Sequence, residues 1–242
     1  MPTLILALAL LSQAAAKPDE TAAVAALEKF KTDFKAKETT ARVAAVAELA
    51  RTQGDKVVVR LAQILTSPDE KEIRIAAAKG LGGATENKKK PLQVLAASIP
   101  PNQKDTAVVA AILEALGKLG DQAAAPVVEN NFKSKNTAVL KAAVEAAGEL
   151  KSRSSVPQLI DLCKRLEEGA KEAPSVGGNY GGGSLPGTGG GGVVDDMARE
   201  RERVVKPVVI KVLGDLTKTN LGMAKEWENW WRTEGGKFMS GK

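Results

Sequence analysis

Histidine is absent from this chain, and cysteine occurs once, as Cys163. Because histidine is the commonest general base and a common metal ligand, its absence removes the simplest routes to acid–base catalysis and metal binding. A single cysteine can form neither an internal disulfide nor a thiolate metal site. Neighbouring carboxylates such as Glu167 and Glu168 are expected on the surface, and nothing specifies an acid and a base in one cleft. The sequence therefore predicts no catalytic residue, metal or cofactor, and so a protein that is not an enzyme.

Aromatic residues are also scarce, at 3% of the chain, and alanine, leucine and valine supply most of the apolar side chains. Sheets favour aromatic and β-branched residues, whereas small side chains suit helices that pack closely. Cys163 lies among leucine and isoleucine residues at helical spacing in "PQLIDLCKRLEE". This spacing predicts a buried thiol, and a reactive thiol is the alternative.

The net charge of +6 is spread thinly along the chain. A nucleic-acid-binding protein would concentrate such an excess on one face or segment. The one local basic run is Lys88, Lys89 and Lys90. We interpret it as a solvated helix end, and the alternative is a contact with phosphate or with an acidic partner.

The first residues, "MPTLILALALLSQAAAKPDE", are typical of a secretory signal peptide. The apolar run from Leu4 to Leu11 is followed by Ala14-Ala15-Ala16, a small-x-small cleavage pattern, so residues 1–16 are predicted to be removed. The run is too short to span a bilayer, and no cysteine follows it to carry a lipid. No lysine or arginine precedes it, and an apolar first helix of the fold is the alternative. We expect an exported protein, periplasmic or secreted, with no stable membrane anchor.

One pattern recurs through the interior: an Ala/Val/Ile/Leu run that ends in apolar-Gly-x-apolar. Examples are "IRIAAAKGLGGA" (73–84), "VVAAILEALGKLGD" (108–121) and "VLKAAVEAAGEL" (139–150). The aligned small residues are Ala47, Gly82, Gly117, Gly148 and Gly214, with spacings of 35, 35, 31 and 66 residues. Each unit continues into a second apolar segment of helical period, such as 156–166. Two helices in about 35 residues predict a helical solenoid.

The aligned small residues are predicted to pack one repeat against the next. Glycine costs a helix about 1 kcal/mol relative to alanine. Its recurrence therefore indicates close helix contacts or helix ends.

The segment "SPDEKEIRIAAAKGLGG" (67–83) resembles the consensus D-x-x-x-V-R-x-x-A-A-x-A-L-G of HEAT repeats. The resemblance is to the short bacterial HEAT-like type of repeat, which phycobilin lyases also contain. The consensus positions are held by Ile73, Arg74, Ala77, Leu81 and Gly82. The resemblance covers residues 39–166 and 193–233. It implies an all-α protein, an α-solenoid that forms a right-handed superhelix of about five helical hairpins. It also implies a scaffold for macromolecular contacts, without catalytic residues to transfer.

The consensus arginine is matched at Arg74 alone in this alignment. The other units place Thr39, Val109, Leu140 and Lys206 there.

A glycine-rich segment, residues 174–192, interrupts the last repeat. Its composition predicts a flexible loop, and it lacks the Lys-Ser or Lys-Thr that ends a phosphate-binding loop. Tyr180, the only tyrosine, is a possible contact point in it. The predicted organisation is a signal peptide (1–16), four repeats (17–173), this loop, and a last repeat with a tryptophan-rich end (193–242).

All three tryptophans lie near the end of the chain, as Trp227, Trp230 and Trp231. At i, i+3 and i+4 they share one helix face, which Met223 extends by a turn. A solenoid's last repeat has no successor, so we expect these residues to cap it; an exposed partner anchor is the alternative. The segment "TKTNLGMAKEWENWW" (217–231) is also similar to a C-terminal pattern of exported bacterial HEAT-like proteins. Residues 22–36 are expected to cap the other end, through Val24, Leu27, Phe30 and Phe34.

The favoured function is a non-enzymatic scaffold that binds an unknown protein partner on the concave face of the solenoid. We expect that face on the second helices, with Lys88–Lys90 and Tyr180 as possible contacts. The alternative is a nucleic-acid-binding HEAT-like protein that uses its dispersed basic residues. A third possibility, an enzyme like the phycobilin lyases, lacks any chromophore-binding signature.

Overall fold

The computed structural model describes residues 18–172 and 191–241, which form eleven α-helices and no strand. The helices are α1 (Pro18–Asp33), α2 (Thr39–Leu49), α3 (Asp55–Leu65), α4 (Lys71–Gly82), α5 (Lys89–Ser98), α6 (Thr106–Leu119), α7 (Ala125–Asn130), α8 (Thr137–Glu149), α9 (Val156–Glu172), α10 (Gly191–Thr217) and α11 (Ala224–Ser240). Within these ranges, no helix has the length and apolar composition needed to cross a membrane.

From α2 onward the helices alternate between two rows, and we divide them in chain order into five repeats of two helices, starting with α2 and α3. The first helices of these repeats stack in one row, α2–α4–α6–α8–α10. The second helices, α3, α5, α7, α9 and α11, lie on the other side, and α1 packs on α2 and α3. This arrangement confirms the predicted all-α solenoid. The central first helix, α6, has neighbours on both sides in its row, and most of its residues are therefore buried.

Two predicted segments lie largely outside the described residues. They are the signal peptide at residues 1–16 and the glycine-rich segment, of which only Gly191 and Gly192 are described, as the first residues of α10. A proline in a helix interior usually kinks or ends the helix. Pro207 lies inside α10, which continues through it without a restart.

The first helices approach each other closely at the recurring glycines. A Cβ atom built on Gly82 would lie 2.7 Å from the Cα atom of Ala115. On Gly117 it would lie 2.8 Å from the Cα atom of Ala146. On Gly148 it would lie 2.9 Å from a methyl carbon of Val212. Each glycine thus faces the residue that lies two positions before the next recurring glycine. A side chain at the glycine position would hold the two helices apart.

The same rule corrects the alignment of the first repeat. Ala47 is exposed and makes no such contact. A Cβ atom on Gly80, two positions before Gly82, would lie 2.6 Å from the Cβ atom of Ala50. Ala50 is therefore the equivalent of the later glycines. The predicted register was shifted by about one helical turn, because in an alanine-rich helix such a shift keeps small residues aligned.

In the corrected register Arg42 occupies the consensus arginine position, eight residues before Ala50, as Arg74 stands before Gly82. Arg42 pairs with Asp69 and with Glu70, the latter at 2.9 Å. Arg74 reaches the Oδ1 atom of Asn102 at 2.7 Å and the Oδ2 atom of Asp105 at 2.8 Å. Both arginines thus bind the segment that precedes the first helix of the next repeat. The consensus arginine is a link between repeats, and sequence alignment missed the first copy.

Candidate interaction groove

A groove of about 790 Å³ crosses the row of first helices from α4 to α10. Small and branched apolar residues line its floor: Ala115, Ala146, Gly148, Val208 and Val212. Charged residues form its walls: Lys79, Glu114, Lys118, Glu145, Glu149, Lys211 and Asp215. Sequence reasoning expected the binding face on the second helices, whereas this groove lies on the first. The recurring small residues explain the difference, since they bring the first helices together and leave a shallow floor between the longer wall residues.

The wall residues follow the same repeat as the residues at the helix contacts, which we call the interface residues: Ala50, Gly82, Gly117, Gly148 and Gly214. Three positions before each interface residue stand Ala47, Lys79, Glu114, Glu145 and Lys211. This row explains the exposure of Ala47, which points outward like its charged counterparts. One position after the interface residues stand Arg51, Gly83, Lys118, Glu149 and Asp215. Charged residues at the spacing of the glycines were the sequence signal for this groove.

Several wall charges are already neutralised within their own helices. Lys211 lies 2.9 Å from Asp215, and Lys141 lies 2.6 Å from Glu145. The carboxylate of Glu149 reaches from α8 towards α6, where its Oε2 atom would be 2.7 Å from a Cβ atom on Gly117. Partial burial, together with the charges of Glu145 and Glu114, raises the pKa of Glu149, and Lys118 only partly opposes this. Around Glu149, the negative charges of Glu145 and Glu114 therefore outweigh the positive charge of Lys118.

Comparison with known protein families shows two overlapping matches to HEAT repeats, at residues 58–134 and 101–173. The chain is a HEAT repeat protein. The matched residues begin in α3 and extend through α9, so they include the α6 and α8 parts of the groove. A comparison with curated proteins gives no match.

The end of this HEAT repeat protein places its three tryptophans differently. Trp227 is 0% exposed, and its Nε1–H donates to the carbonyl oxygen of Leu221 at 3.1 Å. Trp230 and Trp231 are half-buried and pack edge-on against Phe238. Trp227 thus belongs to the hydrophobic core, and Trp230 and Trp231 pack against that core. That the three rings cap the last repeat stays a prediction.

Met223 does not join that apolar cluster, and 54% of it is exposed. It precedes α11 in an extended conformation, so the i, i+4 spacing of a helix does not apply to it. The backbone N–H groups of Met223 and Gly222 instead donate to the Oε2 atom of Glu226, at 2.9 and 3.0 Å.

At the other end of the HEAT repeat stack, α1 buries Phe30 and leaves Val24 exposed. Phe34 is half-buried and lies under the guanidinium group of Arg42, 4.5 Å from the ring centre. This helix therefore covers the first repeat along one stripe only.

The lysine run lies where α5 begins, at the edge of the second helices and outside the groove walls. Lys88 and Lys89 are exposed, whereas Lys90 lies 3.1 Å from Asp55 in the preceding repeat. Tyr180, the other predicted contact residue, lies outside the described residues.

Two reactive-looking groups lie between the last two HEAT repeats. Burial raises the pKa of the Cys163 thiol to about 11, which leaves little thiolate at neutral pH. Glu167 was expected at the surface but is only 8% exposed. Its Oε1 atom accepts from the Lys206 ammonium at 3.0 Å and from the Ala224 N–H at 3.1 Å. Glu167 therefore links α9 to both helices of the last repeat. Among the described residues no group of histidine, cysteine and acidic side chains could hold a metal ion.

Proposed function

We propose that this protein is an exported, non-enzymatic scaffold that binds a protein partner in the groove on the first helices. HEAT repeats generally serve as protein-interaction scaffolds. The observation that carries the proposal is the groove itself, which spans four helices and combines an apolar floor with charged walls. An apolar floor contributes to the binding free energy through burial of apolar surface, and charged rims contribute orientation and specificity. A segment of a partner could thus contact several repeats at once.

Site-specific photocrosslinking in the native host tests this surface. The photoreactive residue is placed at Lys118 or Lys211 in the groove and, as matched controls, at Gln63 or Gln158 on exposed positions of the second helices. We expect both groove positions to capture the same protein and the control positions to miss it. A bulky substitution at Ala115 is avoided, since that residue is buried between helices. Capture of the same protein from the second helices alone would contradict the proposal.

Export is tested on the same cells by fractionation and by mass spectrometry of the N-terminus. We expect a mature chain in the exported fraction that begins at Lys17. A chain that retains the N-terminal residues and stays in the cytoplasm would contradict export, while the groove proposal would still be judged by its crosslinks.

A further inference from the structure

The acidic residues in the middle of the groove stand directly beside its apolar floor. Glu114, Glu145 and Glu149 line the groove next to Ala115 and Ala146. Glu149 extends over Gly117, so its carboxylate lies at the junction of α6 and α8. A ligand lying on the floor would therefore meet carboxylates within a few ångströms.

The charges of the groove are unevenly compensated. The side chains at its α10 end form their own ion pair, Lys211 with Asp215. In the middle, Lys141 neutralises Glu145. Glu114 and Glu149 form no ion pair with any described side chain. Lys118 lies near Glu149, but the net effect of burial and of the surrounding charges still disfavours the charged form of that carboxyl group. A positively charged group of a ligand would favour the charged form of Glu149 and offset its repulsion by the neighbouring carboxylates.

Lysine and arginine match this surface in shape as well as in charge. Their methylene stems lie favourably on apolar surface while the charged head reaches polar groups. Arginine can in addition bind a carboxylate through two parallel hydrogen bonds. Phosphate-bearing ligands would instead bring a negative charge towards Glu114 and Glu149, so the middle of the groove disfavours nucleic acid.

We infer, on the premise that the groove is the partner-binding surface, that it takes a peptide segment with a lysine or arginine flanked by apolar residues. The stem of that side chain lies on the floor at Ala146, and its cation is held between Glu114 and Glu149. The flanking apolar side chains cover the floor towards Val212.

A display selection with random linear peptides, performed on the full chain, tests this inference. We expect the enriched peptides to share a basic residue with apolar neighbours. For a synthesised winner, the double substitution Glu114→Gln/Glu149→Gln should weaken binding about tenfold. Lys118→Gln should tighten it, because it removes a competing positive charge. Glu86→Gln, an exposed position outside the groove, is the matched control and should change nothing.

Different failures of this experiment are distinguishable. Enriched peptides that share acidic residues, and that weaken with Lys118→Gln, would overturn the basic-peptide inference but leave the groove as a binding surface. Peptides that bind equally to all groove variants, or a selection without any binder, would overturn the inference together with the proposed groove. Thermal unfolding of each variant shows whether a loss of binding reflects loss of fold.

Discussion

Between α4 and α8 the first helices meet through glycine and alanine, whereas α10 and α11 of the last repeat present larger side chains, such as Val212, Lys206 and Trp227, to the stack. In the middle, Gly82 and Gly117 lie so close to the backbone of the next helix that a Cβ atom at either position would clash with a Cα atom there. At the end, Glu167 reaches Lys206 and the start of α11, and Trp227 fills the remaining space.

The two regions therefore have different sensitivities. Close backbone contact leaves no room for added volume, so the stability of the middle repeats requires small residues at the contact positions. The last repeat has neighbours on one side only, and its stability depends on a few large or charged groups. In a stack where each repeat contacts only its neighbours, such a terminal unit can unfold without the rest.

The largest effect is expected from Trp227→Ala. Truncating a fully buried large aromatic side chain costs about 3–5 kcal/mol, and here the indole is 0% exposed. We expect the last repeat to open first, as seen by faster amide hydrogen exchange in α11 than in α6. Trp231→Ala removes a half-buried ring and should cost clearly less. Uniform loss of protection along the whole chain would show that the last repeat is not a separate unit.

The next effect is expected from Lys206→Met. Removing one partner of a buried ion pair costs about 3–5 kcal/mol, and we expect about 2–3 kcal/mol because water still reaches this site. Lys211→Met, which breaks an exposed pair on the same helix, should cost under about 0.5 kcal/mol. Denaturant unfolding of both variants measures the difference.

The pH dependence gives an independent check on this ion pair. Burial alone would lower the pKa of Lys206, but the hydrogen bond and charge of Glu167 raise it above its usual value of 10.5. Because the raised pKa belongs to the folded state, the stabilisation is complete below the ordinary lysine pKa and is lost as pH rises above it. The wild type and Lys206→Met should therefore converge in stability at strongly alkaline pH.

A smaller loss is expected in the middle from Gly82→Ala. The added methyl group would lie 2.7 Å from the Cα atom of Ala115, and such overpacking costs about 1–3 kcal/mol. The better helix propensity of alanine offsets about 1 kcal/mol of it. Gly83→Ala is the matched control, because that position is exposed and its new Cβ atom would come no closer than 3.4 Å to another residue. Equal stability of the two variants would argue against close packing of α4 on α6.

The smallest effect, and one of opposite sign, is expected from Glu149→Gln. The pKa of this carboxyl group is raised above 4.5, so its charged form is disfavoured in the folded state. Its contribution to stability is therefore unfavourable at neutral pH and vanishes as pH falls below the ordinary glutamate pKa. The variant should melt at a slightly higher temperature at pH 7 and at the same temperature in acid. A lower melting temperature at neutral pH would mean that Glu149 makes a favourable contact.

The helices and their pairing were predictable because they depend on local patterns. The apolar period and the glycine spacing predicted the solenoid. The register of the first repeat was not predictable, since Ala47 in α2 and Ala50 directly after α2 are both small. Only the neighbouring helix distinguishes them, because Gly80 faces Ala50.

The sequence by itself determined the helical repeat, the absence of histidine chemistry and the clustering of large aromatic residues near the end of the chain. The tertiary structure decided which face of the repeat carries a groove, that Glu167 is buried, and that Met223 stays outside the aromatic cluster. The first two of these features depend on how closely neighbouring helices approach. That distance is set by contacts between residues some 30 or more positions apart, to which a local pattern is insensitive.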